Sequence, residues 1–195
     1  KINSISGIFN TMQKETNYLK ISIVTPNYNG AEYLEATIQS ILSQNYPNLE
    51  YIIIDGGSTD ASLDIIKKYE DKLAFWVSEK DKGLYDALQK GFLKTTGEVM
   101  AWLNSDDMYH PHALFTINEL FQLPNVKWLE GKQSTYDEAG RTVAVHNSRR
   151  WSKLDFWMGN YKWIQQESTF WHRELWEKSG GYIDTSLKLA GDMEL

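Results

Sequence analysis

The 195-residue chain predicts an α/β domain with a Rossmann-like, mainly parallel central sheet and helices on both faces. Three observations predict it. Short β-branched runs alternate with segments of helical periodicity through the first ~100 residues. The run Tyr51-Ile52-Ile53-Ile54 is apolar without interruption, as a strand covered on both faces must be. The first, second and fourth runs end in clusters of Asn, Gly, Ser and Asp, which stop strands and begin turns.

After a polar lead-in over 1–19, Ile21-Ser22-Ile23-Val24-Thr25 is a strand stopped by Pro26-Asn27-Tyr28-Asn29-Gly30. Residues 31–44 carry Leu34, Ile38, Ile41 and Leu42 at helical spacing. The second strand ends in Asp55-Gly56-Gly57-Ser58-Thr59-Asp60, where Ser58, Thr59 or Asp60 can cap a helix running through Tyr69. Residues 73–77 read as a third strand, 84–94 as a third helix, and 99–103 as a fourth strand ending at Asn104-Ser105-Asp106-Asp107. A helix over 111–123, a short strand over 127–130 and a hairpin of 133–137 with 142–145 follow. From Trp151 the chain is aromatic and irregular until a strand at 167–171, a helix at 173–178 and the Gly180-Gly181 stop. Residues 20–110 are therefore expected to form a nucleotide-binding α/β half, and 111–195 the smaller remainder of the same domain. The closing Ala190-Gly191-Asp192-Met193-Glu194-Leu195 breaks off in mid-pattern, as expected of a piece of a longer protein.

Composition narrows the function. Apolar residues at 42% and charged residues at 24% are ordinary for a soluble globular chain. A net charge of -6 argues against nucleic acid as a partner. The absence of Cys excludes disulfides and thiolate metal sites. No apolar run reaches the ~20 residues of a membrane span and no signal peptide is evident, so a cytoplasmic setting is expected. Peripheral association with the membrane is compatible with that. Aromatic residues reach 13%, with eight Trp, and such rings stack on bases and sugar faces when they line a cleft.

Ligands of open parallel sheets bind beyond the carboxyl ends of the strands. The first turn is not Gly-x-Gly-x-x-Gly and the chain has no Gly-x-x-x-x-Gly-Lys-Ser/Thr run, so dehydrogenase and P-loop sites are disfavoured. Asp106 and Asp107, adjacent at a strand end, repel each other unless something compensates. A hard divalent cation, Mn²⁺ or Mg²⁺, does so while filling its shell with water and phosphate oxygens. Taken alone this is also an ordinary polar turn; its weight comes from sharing a rim with the two other strand ends. His110 and His112 read as the exposed start of a helix, Lys67-Lys68 as a solvated face and Trp102 as core. Trp151, Trp157 and Trp163 fit an acceptor platform or core packing equally.

The segments Ile21 through Asn29, Ile54-Asp55-Gly56-Gly57-Ser58-Thr59-Asp60, Asp81-Lys82-Gly83-Leu84-Tyr85-Asp86-Ala87 and Asn104-Ser105-Asp106-Asp107 together resemble family 2 glycosyltransferases of the GT-A fold. The likeness is to bacterial enzymes that build cell-surface polysaccharide. It implies a nucleotide-sugar donor, a saccharide or lipid-linked saccharide acceptor, and an acceptor-side region over 111–195. Carried over by motif, Asp55 matches the carboxylate that reads the base, usually uracil, and Pro26 and Tyr28 the turn that lines it, with Tyr28 stacking. Asp106 matches the acid on the ribose, and Asp107 the metal ligand that bridges to the diphosphate. Asn104, Gln166 and Glu167 match the donor and acceptor pocket. Asp192 matches the late acidic motif that supplies the general base, with Glu194 as its fallback. Leu88 and Gln89 stand where many members carry Arg and Asn, which leaves Lys82 or the metal as the substitute for the cation that faces the diphosphate. The rival readings are a nucleotidyltransferase that makes sugar nucleotides, which should carry a Gly-rich loop after the first strand, and a non-catalytic sugar-nucleotide or glycan-binding module.

Overall fold

A computed structural model describes residues 17–137, 141–147, 152–159 and 164–186. Four strands, β1 (Ile21–Asn27), β2 (Leu49–Asp55), β3 (Phe75–Ser78) and β4 (Val99–Trp102), pair in parallel in the spatial order β3-β2-β1-β4. Between them run α1 (Leu34–Leu42), α2 (Ser62–Lys68) and α3 (Leu84–Phe92). After β4 come α4 (Ala113–Phe121), β5 (Trp128–Glu130), β6 (Ser134–Tyr136), β7 (Thr142–Val145), α5 (Lys153–Trp157), β8 (Thr169–His172) and α6 (Arg173–Lys178). Strand β8 inserts antiparallel between β4 and β5 and completes a six-stranded sheet, while β6 and β7 pair as a separate antiparallel hairpin.

The uninterrupted apolar runs have the expected cause. Alternate residues of each strand enter two cores: Ile21, Ile23, Tyr51, Ile53, Val99 and Ala101 face one with Ile38 of α1 and Leu114 of α4. Val24, Ile52, Ile54, Met100 and Trp102 face the other with Leu88 and Phe92 of α3 and Trp176 of α6. Helix α3 packs closely because Gly91 faces the sheet. A Cβ there would fall well inside contact distance of Val24 Cγ1 and at 3.2 Å from Ile54 Cγ1. Gly91→Ala is therefore expected to lower stability by about 1–2 kcal/mol, the overpacking cost exceeding the helix-propensity gain of about 1 kcal/mol. The midpoint of a urea denaturation curve measures it, and an unchanged or higher midpoint contradicts it.

Several boundaries differ from expectation. Strand β1 continues through Pro26, because β4 pairs with β1 only as far as Val24 and asks no ladder bond of the proline. Helix α2 begins at Ser62, later than the polar cluster suggests, although Asp60 accepts a hydrogen bond from Ser62 N (3.0 Å). Helix α5, in the segment read as irregular, was not anticipated. The 138–140 turn of the hairpin lies outside the described residues.

Candidate functional site

The carboxyl ends of β1, β2 and β4 form one rim, as expected, and their loops are bonded together. Tyr28, just past β1, is 67% exposed and leaves a ring face open. Asn29, at φ 52°, donates its backbone N–H to Ser58 Oγ (2.8 Å) and accepts at Oδ1 from Thr59 N (2.8 Å). The β1 loop also touches the acidic turn. A Cβ on Gly30 would collide with Asn27 Oδ1 and lie 2.8 Å from Ser105 Oγ, so glycine is what lets the two loops close. The Thr37 hydroxyl then donates to the Ser105 carbonyl (2.9 Å).

Within the acidic turn Asp106 is exposed, whereas Asp107 is partly buried. Gln166, on the turn before β8, donates Nε2 to Asp107 Oδ2 (3.1 Å), so the late segment and the acidic turn meet as the motifs imply. Burial raises the Asp107 carboxyl to about 6, and the charges of Asp106 and Glu167 push the same way against hydrogen bonds from Gln166 and Asn104. Glu130, at the end of β5, belongs to this acidic group. Its carboxyl is raised by burial and by Glu167, and its Oε1 is buried without a partner among the described residues. It was missed in the sequence, where a Glu closing the apolar Trp128-Leu129 pair was the only signal.

A cation fits this corner. Asn104 Oδ1 and Gln166 Oε1 are buried oxygens without a partner among the described residues, and both side chains adjoin Asp107. No group of three or more His, Cys, Asp or Glu among the described residues could hold a metal by itself.

Asp55 ends β2 on the rim, as expected, but its carboxylate is enclosed. Its residue is 0% exposed. Oδ1 accepts from Asn27 Nδ2 (2.7 Å) and Ser58 Oγ (2.5 Å), and Oδ2 from Ser58 N (2.9 Å), Gly57 N (3.2 Å) and Ser78 Oγ (2.6 Å). Burial pushes its carboxyl up, yet the donors from Ser58, Ser78 and Asn27 outweigh that and hold it below the ordinary range. Saturated in this way, Asp55 ties the β1, β2 and β3 ends together and has no lone pair left to present to a base.

Pro26 is likewise buried, near the end of β1 and two residues before Tyr28. Lys82 is exposed in the turn before α3, its backbone N–H bonded to Asp86 Oδ2 (3.1 Å). The two departures in α3 serve packing. Leu88 is 0% exposed, and Gln89 accepts from Ile183 N (2.8 Å), anchoring the segment after α6. His110 contacts the hairpin through Ser134 and Tyr136, and His112 precedes α4 at φ 64°. Trp102 is core at 4% exposure and Trp157 is 69% exposed. Asp192, Glu194, Trp151 and Trp163 lie outside the described residues.

Comparison with known proteins agrees with this architecture. A family profile described as Glycosyl transferase family 2 matches residues 22–174. An uncharacterized glycosyltransferase of Nostoc sp. is 36% identical over 131 residues, covering 62% of this chain and 41% of that protein. TuaG of Bacillus subtilis, a glycosyltransferase named for teichuronic acid biosynthesis, is 36% identical over 92 residues, 46% of this chain and 36% of its own. The chain thus spans less than half the length of these relatives. Among solved structures, S. aureus TarS in complex with UDP-GlcNAc superposes with a TM-score of 0.71 at 20% identity, over 89% of this chain and 51% of that one. The mannosyltransferase PcManGT of Pyrobaculum calidifontis, in complex with GDP-Man and Mn²⁺, gives 0.67 at 20% identity, over 92% and 51%. The fold is the GT-A fold that the motifs imply. With a family match covering most of the chain and the same strand-end motifs on one rim, the chain belongs to glycosyl transferase family 2.

Proposed function

We propose that this chain is the donor-binding part of an inverting glycosyltransferase that moves a sugar from a nucleotide-diphosphate sugar, UDP-sugar foremost, to a saccharide or lipid-linked saccharide. Mn²⁺ or Mg²⁺ would be held at Asp107. The observation that carries this reading is the contact at Gly30, which joins the open Tyr28 loop to the Asp106–Asp107 turn. A flat base and a charged diphosphate thereby find complementary groups on a single rim. The neighbours with bound UDP-GlcNAc and GDP-Man support the same class of ligand.

Tyr28 offers its ring to the base. Asp106, exposed and acceptor-only when ionised, takes ribose hydroxyls. Asp107, with Asn104 Oδ1 and Gln166 Oε1 beside it, would hold the cation. The cation, when bound, offsets the negative charge that builds on the leaving diphosphate. Glu167, whose charge acts on Asp107, is assigned to the donor and acceptor pocket. We assign the general base to Asp192. The acceptor oxygen bonds to the anomeric carbon as the bond from that carbon to the diphosphate breaks, and the acceptor proton passes to the carboxylate. The setting is a cytoplasmic one, at the inner face of the membrane for a lipid-linked acceptor. Among the described residues no helix is long and apolar enough to cross a membrane.

UDP at 100 times its Kd should stabilise the chain by about 2.7 kcal/mol when Mn²⁺ is present, read as a rise in melting temperature. Without Mn²⁺ the rise should be small. An equal rise in both conditions rejects the metal assignment, and no rise with any nucleoside diphosphate rejects donor binding altogether.

A further inference from the structure

Resting on that reading of the rim as a nucleotide site, we infer that Asp81, rather than Asp55, is the carboxylate that selects the nucleotide base. Asp55 is enclosed and its oxygens already accept five hydrogen bonds, so it can take no proton from a ligand edge. The residue after it, Gly56, is where a side chain at the end of β2 would next project from the rim, and it has none. A different carboxylate fills that place. A Cβ built on Gly56 would stand 2.7 Å from Asp81 Oδ2, 3.1 Å from Cγ and 3.2 Å from Oδ1, so the carboxyl group lies directly over the Gly56 backbone.

The chain delivers Asp81 there by simple means. Strand β3 runs beside β2 to the Asp55–Ser78 pair, and Glu79 N then bonds to the Asp55 carbonyl (3.0 Å). The continuation passes so close to Gly57 that a Cβ there would lie 3.3 Å from Lys80 N, and Gly57 itself sits at φ 82°. Asp81 then folds back over Gly56, its Oδ1 fixed by Gly83 N (2.9 Å). The two glycines have separate tasks. Gly57 supplies the left-handed backbone, and Gly56 supplies the room for the carboxylate. Unlike Asp55, Asp81 is only partly buried, at the same strand ends as the open Tyr28 ring.

A carboxylate accepts and cannot donate, so it favours a base edge with a ring N–H. Uracil presents N3–H and guanine N1–H, whereas cytosine and adenine present a bare ring nitrogen whose lone pair faces the carboxylate. Asp81 therefore selects keto bases, and the preferred nucleotide identifies which one.

Calorimetric titration of the chain and of Asp81→Ala with UDP, GDP, CDP and ADP, all with Mn²⁺, tests this. The parent chain should bind UDP or GDP at least about tenfold tighter than CDP and ADP, the discrimination expected of one charge-assisted hydrogen bond. Asp81→Ala, checked for unchanged circular dichroism, should compress that preference to within about threefold. A ligand-side test needs no variant: methylating the ring nitrogen of the preferred nucleotide should cost the parent chain a similar factor. Preference retained in Asp81→Ala, indifference of the parent chain to the base, or indifference to the methyl group overturns the assignment of Asp81 while leaving nucleotide binding intact. Failure of every nucleoside diphosphate to bind the parent chain is a different result, which removes the donor site and this inference with it.

Discussion

Asp107→Asn is expected to abolish Mn²⁺-dependent UDP binding and, in the metal-free chain at pH 8, to raise the melting temperature above that of the parent. Both follow from one arrangement. Asp107 is partly buried beside Asp106 and Glu167, and burial is the larger of the forces that lift its carboxyl to about 6 from an ordinary 3.8. A folded-state value above the unfolded one means the fold prefers the protonated acid. That preference is fully present below about pH 4 and is lost as pH rises through 6, leaving an ionised carboxylate that costs the empty site about 1–3 kcal/mol at pH 8 after allowance for partial solvent screening. Asn keeps the oxygen that accepts from Gln166 Nε2 and never ionises. The gain should therefore appear at pH 8, as about 3–8 °C, and vanish at pH 4. The same titration makes cation binding to the parent weaken as pH falls through 6. A variant that melts lower than the parent at pH 8, or that keeps a Mn²⁺-dependent response to UDP, contradicts the site.

What was legible in the sequence follows from physical range. The four parallel strands were readable because their alternate residues enter two different cores, which requires apolar runs such as Tyr51 to Ile54 with no polar interruption. The rim followed, since strand order places the β1, β2 and β4 ends together. The meeting of Gln166 with Asp107, 59 residues apart, was anticipated only through motif likeness, because no local rule brings them together. Asp55 shows the limit of such likeness. Residue type and position both suited a base contact, and only the three-dimensional arrangement of Asn27, Ser58 and Ser78 reveals that its lone pairs are taken. Glu130 was missed, and Asp81 stood in a family-like motif without a role, for the same reason. Each carboxylate acquires meaning from a neighbour across the fold, Glu167 for one and Gly56 for the other. Strand β8 was placed correctly in the chain, but its antiparallel insertion beside β4 has no signature in a four-residue Thr-Phe-Trp-His run.

Glu50→Ala should destabilise the chain by about 3 kcal/mol at pH 7 and leave UDP affinity unchanged, the inverse of the Asp107 result. Glu50 lies near the start of β2, roughly 17 Å along the strand from Asp55 at 3.3 Å per residue. Its side chain is 8% exposed and gathers Lys20 Nζ (2.7 Å), Ser22 Oγ (2.5 Å), Thr96 N (2.6 Å) and Thr96 Oγ1 (2.7 Å). Ser22 Oγ in turn accepts from Gly97 N (2.8 Å), and the Gly97 carbonyl accepts from Arg173 Nε (2.6 Å). One carboxylate thus joins β1, β2, the turn into β4 and the start of α6. Removing it takes the acceptor from the buried Ser22 hydroxyl and the part-buried Thr96 N–H, which is why the cost exceeds that of a surface pair. Burial by itself would raise the Glu50 carboxyl, but the bonds from Lys20, Ser22 and Thr96 prevail and hold it at about 2. The depressed value fixes the sign of the pH dependence. Its contribution is complete above the ordinary 4.5 and disappears as pH falls toward 2, so the stability gap between parent and Glu50→Ala should narrow across that interval. Urea midpoints at pH 7, 4 and 3 measure the gap, and a gap that stays constant or widens on acidification would show that the network is not held by the ionised carboxylate. Because the donor rim is at the other end of the same strands, the variant should still bind UDP with Mn²⁺ at temperatures where it is folded. A parallel loss of affinity would mean that the two ends of the sheet are energetically coupled rather than independent.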